Sequence, residues 1–293
     1  MRTLKQRRPG DIALGFFLLC HPVPVLLHTI AVALFAVLAS WSHIAWTTLL
    51  LVIAAHTSMQ FSIAVFNDYF DRRLDCESHK VSKPIVRGFV RPIEALLLGV
   101  FWLSLMILLL LPLPPLAILL SVIYLILGQS YNLGLKSTPW SGIVFALAIP
   151  LIPIYAFVGV GHAAPFVFWL FPVAALLGIV LNLANSLPDI RSDAAQHART
   201  LAVVLGVRGT QIVCPLLILA AEVLILGLAV TGIVIAHAAI LGLTLLLSAL
   251  LVMIIAFWNE KRFPLQTPQR YFLVVVLNCL VLAAGWLLSI IFV

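Results

Sequence analysis

Nine apolar stretches, each long enough to cross a bilayer, leave this chain little freedom in how it folds. They lie near residues 12–39, 45–66, 93–111, 116–131, 141–160, 166–187, 211–233, 236–257 and 271–292. A hydrocarbon core about 30 Å thick asks for roughly 20 apolar residues of helix, and unpaired backbone groups are too costly there for open strands. With 63% of its 293 residues hydrophobic and 9% charged, the chain has far more apolar sequence than a soluble core uses. The expected fold is all-α: a polytopic bundle of about nine transmembrane helices, a single domain over residues 1–293, with a central cavity open near the cytoplasmic side.

The basic residues support that count. Arg2, Lys5, Arg7 and Arg8 precede the first stretch, and Arg72, Arg73, Lys80, Lys83, Arg87 and Arg91 follow the second. Lys136 follows the fourth, Arg191, Arg199 and Arg208 the sixth, and Lys261, Arg262 and Arg270 the eighth. All 17 Lys and Arg residues therefore fall on one side, and the excess of basic residues in cytoplasmic loops predicts a cytoplasmic N-terminus and a C-terminus on the opposite side. The net charge of +7 thus reflects membrane topology and calls for no nucleic-acid partner. The first stretch is too long for a secretory signal and lacks a small-residue cleavage site. Cys20, Cys76, Cys214 and Cys279 have neither disulfide nor zinc spacing. No obligate protein partner is evident.

Five of the ten acidic residues gather in two short runs at helix ends, Asn67-Asp68-Tyr69-Phe70-Asp71-Arg72-Arg73-Leu74-Asp75 and Asp189-Ile190-Arg191-Ser192-Asp193. At about 100° per residue, His56, Gln60, Asn67, Asp71 and Asp75 share one face of the second helix, with Asp68 at its edge. Asn182, Asn185, Ser186, Asp189 and Asp193 form a stripe on the sixth, where Pro188 predicts a kink. Polar stripes in membrane helices face a bundle interior or a cavity. Carboxylates brought this close repel one another unless a cation intervenes, and an all-oxygen set of Asp and Asn suits Mg²⁺ or Ca²⁺. Lys83, Arg87, Lys136 and Arg199 lie in the adjoining loops. Acidic residues, a divalent cation and basic loops describe a diphosphate clamp, and segments 71–91 and 189–209 are long enough to cover it as caps.

Other polar residues carry less. His56 reads as a satisfied internal contact, and His28, His43, His162 and His237 give no signal. Glu222, inside the seventh stretch, is either functional or a neutral hydrogen-bonding group.

At the acidic runs the chain resembles the UbiA superfamily of intramembrane aromatic prenyltransferases. Asn67 to Asp75 fits that family's NDxxDxxxD motif and Asp189 with Asp193 its DxxxD motif. Lys83-Pro84-Ile85-Val86-Arg87-Gly88 is similar to its Arg-Pro-Ile-x-x-Gly segment, and Ser130-Tyr131-Asn132 with Lys136 and Pro139 to its Tyr/Lys segment. The resemblance implies that Asp68, Asp71, Asp75, Asp189 and Asp193 are the catalytic residues and hold Mg²⁺, two ions, against an isoprenyl diphosphate. It further implies that Asn67, Lys83, Arg87, Lys136, Arg199 and Tyr131 contact the diphosphate, and that His21, Asn182 and Asn185 lie toward the acceptor. The implied reaction is transfer of a prenyl group to a lipophilic, aromatic acceptor within the membrane, as in quinone or lipid biosynthesis. Phe66, Phe70, Tyr131 and Tyr155 are candidate aromatic faces for an allylic cation.

Two positions depart from the pattern. His21-Pro22 stands where Arg-Pro is frequent, and His197-Ala198 stands where a glycine and a basic residue are common. The rival readings are a membrane cation transporter and a phosphotransferase acting on CDP-activated alcohols. The latter is characterised by a single acidic motif interleaved with Gly, Ala and Arg, which this chain lacks.

Overall fold

The computed structural model describes residues 7–77, 80–162, 165–195, 197–257 and 267–293, with side chains from residue 270 onward in the last segment. Arg2, Lys5, Lys261 and Arg262 lie outside the described residues. Among the described residues the only regular elements are helices, and nine of them have the length and composition to cross a membrane.

The helices are α1 (Pro9–Leu19), α2 (Pro22–Ala39), α3 (Trp46–Glu77), α4 (Pro84–Arg87), α5 (Pro92–Leu110), α6 (Pro115–Asn132), α7 (Ser141–Gly159), α8 (Val167–Ser186), α9 (Ile190–Ala195), α10 (Leu201–Val230), α11 (Ala238–Ala256) and α12 (Thr267–Ile291). Five of them open on a proline. Proline suits the first helical turn, where its missing N–H would have no intrahelical partner.

Two sequence expectations change. The first stretch, expected as one span over 12–39, is broken into α1 and α2 at His21, which takes left-handed backbone angles (φ 46°). Pro22 disfavours helical geometry at the residue before it, so the chain turns there. α1, at about 1.5 Å per residue, is too short to span; α2 makes the crossing. The seventh span, α10, begins at Leu201, ten residues before the expected 211, and is bent where Gly206 adopts φ 69°.

α3 is the axis of one half of the bundle, flanked by α2, α5 and α6, while α8 gathers α7, α10 and α12 in the other. Close approaches depend on small residues, as is general in membrane bundles. A Cβ on Gly178 would lie 2.4 Å from the Phe145 carbonyl oxygen, so α8 meets α7 backbone to side only because that position is bare.

A smaller apolar cluster sets the geometry of the first cap. Leu19 of α1, Val65 of α3, Val90 and Ala95 are buried together, with Phe16, Tyr69, Ile85 and Phe89 packed around them. Arg7 fastens the arrangement, donating to both Glu94 carboxylate oxygens at 2.6 and 2.8 Å and to the Phe89 carbonyl at 3.2 Å. The segment bearing Lys83 is thereby held against α3. The second cap is also ordered: a 3-10 turn at Leu187–Asp189 leads into α9, and the Arg199 N–H donates to the Ser137 carbonyl at 2.9 Å.

Candidate active site

α3 continues as an unbroken helix beyond its apolar stretch to Glu77, which places Asn67, Asp68, Asp71 and Asp75 on successive turns. Asp68 is only 1% exposed. Its Oδ1 accepts from Lys83 Nζ at 2.5 Å, and His21 Nε2 lies 2.9 Å from the same oxygen. Its Oδ2 is buried without a hydrogen-bond partner. Asp71 is paired with Lys136, and Asp75 faces Lys80 at 3.4 Å. Three carboxylates from one helix thus meet three lysines from two loops, and one buried carboxylate oxygen is left over.

The second acidic run approaches the same place. Asp189 lies in the 3-10 turn, where its carbonyl accepts from the Ser192 hydroxyl at 2.9 Å, and Asp193 lies on α9. Asp193 is within electrostatic reach of both Asp189 and the two lysines, Lys80 and Lys136, that face the first run. The Tyr131 hydroxyl likewise feels Asp71, Asp189 and Asp193. The two runs therefore converge around Lys136 and Tyr131.

The remaining expected residues are distributed unevenly. Asn67 donates to Asn132 Oδ1 at 2.9 Å, and Asn132 in turn donates to the Ile63 carbonyl at 2.9 Å, so Asn67 ties α3 to α6. Arg87 is exposed, its guanidinium 4.6 Å from the centre of the Phe89 ring. Arg199 is exposed, and among the described residues neither arginine forms an ion pair. Asn182 is fully buried, accepting from the Ser141 hydroxyl at 3.2 Å, with its Nδ2 unpartnered. Asn185 borders a cavity. His21, expected on the acceptor side, reaches both ways: it touches Asp68 and borders two cavities.

Of the aromatic faces, Phe66 and Phe70 stack on each other, and Phe66 lies against Gly99 of α5. Tyr155 is buried, its hydroxyl committed to the Val52 carbonyl. Tyr131 borders the smaller of the two cavities, and Phe145 meets it edge to face with ring centres 5.4 Å apart. Reasoning from sequence missed Phe145, Lys80 and His28. His28 carries no signal in sequence, since a lone histidine in an apolar helix resembles a packing residue. Lys80 and Phe145 likewise carry none.

The two departures at histidine share a physical property. His21 and His197 are the positive-φ residues other than glycine among the described residues, at φ 46° and 60°. His197 thus adopts the left-handed conformation for which glycine is the easy choice.

Glu222 belongs to a different cluster. The Ser248 hydroxyl lies 2.5 Å from Glu222 Oε1 and 3.0 Å from Asn278 Oδ1, and the Asn278 amide donates to the Ser248 carbonyl at 2.9 Å. The cluster ties α10, α11 and α12 together and borders neither cavity.

The sequence profile of the UbiA prenyltransferase family matches residues 26–277. The chain belongs to that family. It is 34% identical over 145 residues to a digeranylgeranylglyceryl phosphate synthase of Natronomonas pharaonis, a match covering 48% of this chain and 51% of that one. It is 31% identical over 167 residues to a 4-hydroxybenzoate octaprenyltransferase of Neisseria meningitidis, covering 54% and 55% respectively. The chain spans about half the length of these relatives. In three dimensions it is similar to a UbiA homolog from Archaeoglobus fulgidus bound to GPP and Mg²⁺, with a TM-score of 0.68 and 17% identity over 95% of this chain and 100% of that one. The likeness of fold extends over almost the whole of this UbiA-family chain.

Among the described residues no three His, Cys, Asp or Glu side chains come together as a ready-made metal cage. Mg²⁺ typically takes only one or two carboxylates, keeping waters and substrate phosphate oxygens for the rest. The orphaned, buried Asp68 Oδ2 and the all-oxygen chemistry of the carboxylates fit that mode of binding.

Proposed function

We propose that this chain, acting as one domain over residues 1–293, transfers a prenyl group from an isoprenyl diphosphate to a lipophilic aromatic acceptor within the membrane. The observation that carries the reading is the approach of the two acidic runs around Lys136 and Tyr131, beside an Asp68 that touches His21, a residue bordering both cavities. The structurally similar homolog bound to GPP and Mg²⁺ and the prenyl-transferring names of the relatives support it.

Asp68, Asp71 and Asp75 on one side and Asp189 and Asp193 on the other would hold Mg²⁺, which we take as two ions. When bound, Mg²⁺ supplies positive charge to the departing diphosphate. Lys83 and Lys136 already stand at carboxylates, and each ammonium has three N–H donors, so each can keep its Asp and still donate to a phosphate oxygen. Asn67 and Tyr131 would reach the diphosphate from the wall of the smaller cavity, while Arg87 and Arg199 would close over the outer phosphate from the caps.

In the reaction the bond between the allylic carbon and the diphosphate oxygen breaks, its electron pair leaving with the diphosphate. An aromatic ring carbon of the acceptor forms the new C–C bond. The proton displaced from that carbon passes to a diphosphate oxygen or to water at the mouth. Water must be kept from the allylic cation while it exists, and the apolar cavity walls do this. The faces of Tyr131 and Phe145 are placed to stabilise positive charge at the inner edge of the site.

We also propose that the N-terminus and the site face the cytoplasm and that the C-terminus lies opposite, from the distribution of basic residues. The functional test is to supply the purified chain in lipid with allylic diphosphates of several lengths and a panel of acceptors, with and without Mg²⁺. Metal-dependent formation of a prenylated product is expected. Absence of metal-dependent diphosphate release with every pair would overturn the assignment.

A further inference from the structure

The two cavities that meet at His21 differ in kind. The larger, of about 370 Å³, lies between α2, α7, α8 and α12, with apolar walls that include Phe35, Ile152, Leu177 and Leu280. The smaller, of about 200 Å³, lies between α2, α3, α6 and α7, and Gln60, Tyr124, Tyr131 and Asn132 line it. His28 borders both. A long hydrocarbon chain matches the first; a compact molecule with a hydrogen-bonding group matches the second.

His28 borders both cavities about 10 Å along α2 from His21, at 1.5 Å per residue. Its Nδ1 is buried with no hydrogen-bond partner. The neighbouring polar groups are engaged elsewhere or lie at ring-packing distance. Gln60 Nε2 lies 3.1 Å from His56 Nε2, and the His56 and Tyr124 ring centres are 6.0 and 6.5 Å from that of His28. A buried polar atom left unpaired in an otherwise satisfied cluster calls for a ligand atom.

Charge narrows the ligand further. No lysine or arginine among the described residues lines either cavity, and His21 at the mouth already faces Asp68. A carboxylate or phosphate carried inward would be buried without a countercharge, an arrangement proteins avoid. A hydroxyl has no such penalty. It can donate to Nδ1 in one imidazole tautomer or accept from it in the other, whereas a carboxylate can only accept.

We infer that the smaller cavity is the acceptor site and that His28 selects an uncharged phenol or hydroquinone through a hydrogen bond from the acceptor hydroxyl to Nδ1. The inference rests on the prenyl-transfer reading and deepens it. It separates this chain from the relatives described above, whose names specify a hydroxybenzoate and a glyceryl phosphate.

The test uses the full chain in lipid nanodiscs with Mg²⁺ and radiolabelled geranyl diphosphate. KM and kcat are measured separately for neutral hydroquinones of one and two rings and for 4-hydroxybenzoate. A kcat/KM at least about tenfold higher for a hydroquinone is expected, the scale of one buried polar match or mismatch. His28→Leu should raise the hydroquinone KM about tenfold and leave the donor KM unchanged. His28→Asn, which keeps a donor and an acceptor near Nδ1, should recover most of that loss. Equilibrium binding of the hydroquinone without donor should weaken in parallel. Preference for 4-hydroxybenzoate, or unchanged hydroquinone binding in His28→Leu, overturns the inference while leaving prenyl transfer intact. Absence of Mg²⁺-dependent diphosphate release with every acceptor removes the prenyl-transfer reading, and this inference with it.

Discussion

Beside His21, which borders both cavities, Asp68, Asp71 and Asp75 stand against lysines from loops, and one oxygen of Asp68 has no partner. Glu222, in the other half of the bundle, is bonded by Ser248 of one neighbouring helix, which is in turn joined to Asn278 of another. Both places keep carboxylates where they are expensive. The Glu222 cluster closes on itself through neutral partners, which is how polar groups join helices in a membrane. The aspartate cluster is held by lysine cations, and one Asp68 oxygen is left without a partner. An open polar cluster beside a cavity indicates ligand binding; a closed one between helices indicates packing.

The largest test of that contrast is electrostatic. Asp68→Asn should lower turnover about a thousandfold, the upper range for losing one key electrostatic contact, with a folded protein shown by an unchanged elution profile and melting temperature. A fall of less than tenfold would place Asp68 outside the metal-binding set. Lys83→Ala comes next: it removes a charge-assisted contact to the donor and should raise the donor KM about tenfold, measured against a fixed acceptor concentration. An unchanged donor KM would mean that Lys83 serves Asp68 alone.

The closed cluster should behave in the opposite way. Asn278→Leu should cost about 1 kcal/mol of stability, read as a lowered melting temperature, while kcat and both KM values stay close to wild type. A large loss of turnover would join Glu222 to the site. The smallest effect concerns backbone: His197→Gly, relieving a left-handed conformation in an exposed residue, should stabilise by up to about 1 kcal/mol, seen as a slightly higher melting temperature. A lower one would show that the imidazole makes a contact worth more than the strain.

Much of this was legible because the signals are local. Apolar stretches report spans wherever hydrocarbon is the solvent, and the spacing of Asp68, Asp71 and Asp75 reports one helical face. The break at His21 was less visible, since the apolar stretch runs through it unbroken and only Pro22 marks the turn. Arg87 illustrates a different limit: sequence placed it beside the clamp, but its direction depends on Phe89, which packs against α1 and so on residues far away in sequence. Glu222 stayed ambiguous for the same reason, because Ser248 and Asn278 come from other helices. His28 was set aside because an isolated histidine in an apolar helix looks like packing until the cavity beside it is known.

The most direct measurement compares diphosphate release from an allylic diphosphate by the wild-type chain, Asp71→Asn and Glu222→Gln, in the same lipid and with the same acceptor, with Mg²⁺ and with EDTA. The expected result is Mg²⁺-dependent release by wild type and Glu222→Gln at similar rates, and none above background by Asp71→Asn. Release by Asp71→Asn near the wild-type rate, or equal release in EDTA, would contradict the assignment of the acidic mouth as the metal-dependent diphosphate site.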